Sequence, residues 1–68
     1  MYVLERSGVT WDARFYSGHS MSGLLANFSS LDLAKRFDNR SDAEAEKDRL
    51  DRETGIYTMI ANTDDFGV

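Results

Sequence analysis

Charge is segregated along this chain. Fourteen of its 20 charged residues lie between positions 32 and 53, eight acids against six bases, whereas residues 1–31 carry only Glu5, Arg6, Asp12 and Arg14 and sum to zero. Four of the eight aromatic residues fall within the first 16 positions. This partition limits the fold: the neutral, β-prone half has to supply a sheet and most of the core, and the charged middle reads as a solvated helix with a narrow apolar stripe. Asp64 and Asp65 complete a formal net charge of -4. The expectation for 68 residues is a single small domain, 1–68, with 63–68 a frayed acidic tail.

The composition excludes several classes of function. With no cysteine there is no disulfide framework, no zinc finger and no thiol nucleophile, so core burial or self-association has to stabilise the domain. A net negative chain is a poor ligand for nucleic acid or an anionic membrane, because phosphate contacts need clustered Lys and Arg. Met1-Tyr2-Val3-Leu4-Glu5 meets charge too early for a signal peptide, and no long apolar run follows. The expected setting is the cytoplasm. At 41% hydrophobic the chain is too apolar to read as disordered.

Tyr2 to Arg6 is a short β-prone run, and Ser7-Gly8 supplies a turn. Val9 to Tyr16 then alternates, with Val9, Trp11, Ala13 and Phe15 on one face, which predicts a hairpin with one buried side. The small polar stretch Ser17 to Gly23 suits a mobile connection. Leu24–Phe28 fits a third strand or the start of a helix, the strand being preferred. Ser29 or Ser30 can open a short helical turn whose Leu31, Ala34 and Phe37 face one way. Ser41-Asp42-Ala43-Glu44 has the spacing of a capping box, which predicts a helix over about 42–53 that Gly55 terminates. Ile56 to Asn62 reads as the last strand.

The expected architecture is therefore α+β in the order ββ(β)ααβ: a small antiparallel sheet of three to four strands, with one principal helix packed on one face. At about 100° per residue, Ala43, Leu50 and the stem of Lys47 share the inward stripe. The remaining core is assigned to Leu4, Trp11, Phe15, Phe28, Leu31, Phe37, Ile56 and Ile60. Such a core is thin, since a domain of about 60 residues buries only about 60% of its unfolded surface, and a homodimer is one way to cover more.

The N-terminal Tyr-Val-Leu strand, Asp32 to Leu50 with Ala34 and Phe37, a short turn, and Ala43-Glu44 opening a charged helix that Leu50 closes resemble a pattern common among small phage and prophage proteins. The resemblance spans about two thirds of the chain. It implies a mobile-element origin and a small acidic protein that binds host defence or gene-control machinery, and it carries over no functional residue.

Catalytic constellations are missing from the sequence. His19 is the only histidine, placed in the Gly/Ser stretch, and reads as an exposed loop residue. Ser17 to Gly23 lacks the lysine, and the serine or threonine directly after it, of a phosphate-binding loop. Asp64 and Asp65 do not follow the alternating oxygen pattern of a calcium hand. No enzyme activity, cofactor or metal is expected.

Two surfaces remain. On α-helical spacing Glu44, Asp48 and Asp51 form one acidic row, suited to occupying a basic groove built for nucleic-acid backbone. Ion pairs Asp48–Arg52, Arg49–Glu53 and Glu44–Lys47 are spaced to lace the same helix, each worth about 0.2–0.5 kcal/mol. The second surface is the sheet face away from the helix, where Tyr16, Tyr57 and Met59 could form an apolar patch for a protein partner or a second copy. The sequence thus points to a non-enzymatic protein-binding module of the anti-CRISPR kind, engaging a host nucleic-acid-handling or defence complex and binding no nucleic acid or membrane itself. The alternative is an assembly protein that homo-oligomerises through its sheet face.

Overall fold

The computed structural model describes residues 1–19 and 25–66. Strands β1 (Tyr2–Glu5), β2 (Phe15–His19), β3 (Ala26–Ser29) and β4 (Met59–Asn62) form one antiparallel sheet in the order β3-β2-β1-β4, and helix α1 spans Arg40–Thr54. Three short 3-10 turns, Trp11–Ala13, Leu31–Leu33 and Thr63–Phe66, accompany them. This is the small α+β fold with one principal helix that the charge partition predicts. No helix among the described residues is long and apolar enough to cross a membrane.

The sheet is buried on both faces. Along β1 and β2 the side chains alternate, so Leu4 and Tyr16 pack with Phe37, Ala43 and Leu50 beneath α1, while Val3 and Phe15 pack on the other side with Leu31 and Ala34. The inward stripe of α1 consists of Ala43 and Leu50, as its periodicity predicts. On the opposite face the 3-10 turns take the place of a helix among the described residues. Trp11, Phe15 and Phe66 meet edge to face there with ring centroids 4.9–5.8 Å apart.

Several boundaries differ from the sequence expectations. The second strand begins at Phe15, not Val9, because two arginines satisfy the carbonyls of the preceding loop: Arg14 Nη2 donates to Val9 O (2.8 Å) and Arg6 Nε to Ala13 O (3.0 Å). Ser17 to His19 belong to β2; Ser20 to Gly23 lie outside the described residues. The preferred strand reading of Leu24–Phe28 holds for Ala26–Phe28 in β3, and Leu24 lies outside the described residues. Leu31, Ala34 and Phe37 are all buried but do not face one way, since Phe37 crosses to the helix side. The reason is a backbone pair: Tyr2 and Phe37 exchange N–H···O bonds of 2.9 and 2.8 Å.

That pairing anchors the chain just ahead of α1, which starts at Arg40 with Asn39 as its cap residue, two positions before the predicted cap Ser41. Glu44 consequently bonds Arg40 rather than reaching back to Ser41. The C-terminus is as predicted: Gly55 takes φ 72° and its N–H bonds Asp51 O at 3.0 Å, a conformation that favours glycine. The last strand begins only at Met59. Of the expected tail 63–68, residues 63–66 are tied down: Thr63 is buried, its N–H bonds Met1 O at 2.8 Å, and Phe66 joins the aromatic cluster, while Gly67 and Val68 lie outside the described residues. The core also departs from expectation at Trp11, nearly half exposed, and gains Val3, Tyr16 and Thr58.

Candidate functional site

Helix α1 displays the acidic row. Glu44, Asp48 and Asp51 are all exposed on its outer surface. They differ in pairing. Arg40 Nε donates to Glu44 Oε1 at 3.2 Å, whereas neither Asp48 nor Asp51 has a cationic group within 4 Å among the described residues. Arg52 Nε donates instead to the backbone O of Asp48 at 3.4 Å, so the expected Asp48–Arg52 ion pair is replaced by a contact with the helix backbone. The Glu44–Lys47 pair is also not made. Lys47 Nζ lies 4.2 Å from the centre of the Tyr57 ring, a cation–π contact that covers the apolar rim of α1. The Arg49–Glu53 pair forms as spaced, with Nε 3.3 Å from Oε2.

The second predicted surface is broken up. Tyr16 is 1% exposed and lies under α1, so it takes no part in an outer patch. Its phenol packs in the core because α1 covers the sheet face that Tyr16 shares with Leu4, while Phe15 points with Val3 to the face of the turns. Tyr57 (64% exposed) stands beside Lys47, whereas Met59 (51% exposed) is paired with Glu5 and shares the face of Ala61, away from the helix. Met59 is left among polar neighbours there, since Glu5 pairs with Arg14 at 3.8 Å and Arg14 lies over Trp11.

A cluster that sequence reasoning missed forms at the seam between β2 and α1. His19 is not an exposed loop residue: its side chain is 12% exposed, with Nδ1 2.6 Å from Tyr16 Oη and Nε2 3.9 Å from Glu53 Oε2. The register of β2 against β3 explains how it gets there. Tyr16 pairs with Phe28 and Gly18 with Asn27, so Ser17 is an extra residue, and this bulge returns His19 to the face of Tyr16. In a regular strand the two would point to opposite sides.

Arg49 organises the rest of the cluster. Its Nη2 is 3.3 Å from both ring nitrogens of His19, its Nε donates to Glu53, and its Nη1 lies 3.2 Å from Glu46 Oε1 without hydrogen-bond geometry. Lys35 Nζ reaches the other Glu46 oxygen at 3.5 Å. The bond from Glu53, then the charge of Glu46, hold the Arg49 guanidinium proton above its ordinary value. Burial, with the charge of Glu46 second, pushes the Tyr16 phenol up in the same way. Beside this cluster an open groove of about 260 Å³ is lined by Phe37, Asp42, Ala45, Glu46 and Arg49.

Chemically, the cluster is a network of fixed charges around one imidazole whose hydrogen-bonded neighbour is the buried Tyr16 phenol. No group of three His, Asp or Glu side chains among the described residues is placed to hold a metal ion. The outer row is the opposite case, a set of carboxylates left largely to solvent. The chain matches no protein-family model, no curated protein and no solved structure.

Proposed function

We propose that this protein is a non-catalytic binding module that lays the outer face of α1 on a basic surface of a larger protein partner. The observation that carries the reading is the exposed row Glu44, Asp48, Asp51, in which the two aspartates have no cation within 4 Å among the described residues. Unpaired carboxylates on a rigid helix meet a basic groove without first breaking their own ion pairs, and long-range attraction speeds the encounter. The partner class that fits such a row is a nucleic-acid-handling complex, whose backbone-binding groove the row would occupy, as an inhibitor of the anti-CRISPR kind does. A phage or other mobile-element source and the host cytoplasm are the setting this implies.

The test is capture of nucleic-acid-handling complexes from a bacterial lysate on immobilised protein, with elution by salt or by duplex DNA. Simultaneous Glu44→Lys, Asp48→Lys and Asp51→Lys should abolish capture, and DNA should compete with it. Capture that survives the triple reversal sinks the reading.

A second reading, assembly through the sheet, is supported by Met59, more than half exposed on β4, an edge strand with no charged residue. It replaces the first if the protein is a dimer whose dissociation is insensitive to salt and is promoted by Met59→Lys.

A further inference from the structure

We propose that His19 is a protonation-controlled latch between the end of β2 and α1, which takes Glu53 over from Arg49 when the imidazole gains a proton. The ring sits where several demands meet. Tyr16 Oη is 2.6 Å from Nδ1 and Glu53 Oε2 is 3.9 Å from Nε2, so one ring nitrogen meets the phenol and the other faces the acid. Nη2 of Arg49 is 3.3 Å from both ring nitrogens, a position that suits a neutral imidazole and sets two cations against each other once the ring is charged.

The charged and titratable groups facing the ring come from three places. Tyr16 belongs to β2; Glu46, Arg49 and Glu53 belong to α1; Lys35 reaches Glu46 from the segment after the 31–33 turn. Ala26 of β3, paired with His19, is uncharged, and residues 20–24 contain no ionisable side chain. Glu53 is thus the acid within 4 Å of the ring among the described residues, and Arg49 Nε now holds it at 3.3 Å.

A proton arriving from solvent adds to the ring nitrogen that lacks one, so both ring nitrogens donate. Nδ1 then donates to the Tyr16 oxygen, Arg49 is repelled, and Glu53 is attracted. Arg49 retains Glu46, beside Nη1 at 3.2 Å, as an alternative anchor. The guanidinium therefore moves toward Glu46 and the groove at Asp42 and Ala45, and α1 presents a different charge pattern outward while the sheet is unchanged.

The experiment is a side-chain NMR titration of the intact chain from about pH 8 to about pH 5, the span over which a histidine titrates. It follows the His19 ring carbons, the Arg49 Nε–H and the Glu53 carboxyl carbon. The expected result is that the Arg49 and Glu53 signals shift with the same midpoint as His19, and that His19→Gln abolishes both shifts over this range. Glu53→Gln, at an exposed helix position, should keep the His19 titration and remove most of the Arg49 shift, since no acid remains to be handed over. An Arg49 Nε–H that stays still through the His19 midpoint, or that shifts equally in His19→Gln, overturns the latch.

Discussion

The two faces of the sheet are buried by different means. Under α1 a single element closes the core: Ala43 and Leu50 seat the helix on Leu4, Tyr16 and Phe37, and a network of charged groups ties its outer half to His19. The other face is closed by three short turns from separate parts of the chain, which bring Trp11, Leu31, Ala34 and Phe66 onto Val3 and Phe15. A helix concentrates its hold in two buried residues and leaves most of its surface free, which is why the face with a candidate binding row is the helical one. The turns spread their hold over partly exposed aromatics, and the side chains left over, such as Met59, are isolated rather than gathered into a patch.

The concentrated face should be the more fragile. Leu50→Ala should cost about 2–5 kcal/mol, because it leaves a cavity that Ala43 and the sheet cannot fill, and urea denaturation would measure it. For a domain this small such a loss approaches the whole of its stability. Phe66→Ala probes the distributed face and should cost less, about 1–2 kcal/mol, as two edge-to-face contacts and part of a half-buried ring are lost. A loss under about 0.3 kcal/mol would return residues 63–66 to the status of a loose tail and undo the two-faced description.

Tyr16→Phe probes the seam between helix and sheet. Removing the hydroxyl that bonds His19 should cost about 0.5–1.5 kcal/mol at neutral pH. Its pH dependence has a definite sign. The folded state holds the phenol proton more tightly than the ordinary value of 10.0, so this contribution is complete below that pH and is lost as pH rises through the folded value. Thermal melts between pH 8 and pH 11 should therefore fall less steeply for Tyr16→Phe than for the native chain; equal slopes would mean that the phenol is not held by burial.

Much of the frame is legible in the sequence. The α1 stripe, its stop at Gly55, the antiparallel sheet and the neutral-to-charged division follow from periodicity and composition, which act locally. The candidate row is legible too, because Glu44, Asp48 and Asp51 need only helical spacing to align. Pairings across the sheet are not. Alternation counted from Val9 puts Trp11 and Phe15 on one face and Tyr16 on the other, as observed, but which of the two faces α1 covers is set only in the folded chain. The glycines and serines around His19 mark it as a loop residue, and no local signal reveals the bulge at Ser17 that turns it inward. A histidine within three residues of a tyrosine in a β-prone run is the one available hint.

Composition and periodicity account for the division of labour: where charge is dense only a helix with a narrow inner stripe satisfies both water and core, and where aromatics and β-formers gather a sheet forms. Which residues meet depends on long-range pairing in the folded chain. Phe37 crosses the sheet because its backbone pairs with Tyr2, α1 starts at Arg40 for the same reason, and His19 joins Tyr16, Arg49 and Glu53 because one extra residue in β2 inverts the alternation. The physical reason is range. Helical spacing and turn chemistry act over three or four residues, whereas register and face are set by pairing between positions 7 to 60 residues apart, and a shift of one residue in any of them moves a side chain from one face to the other.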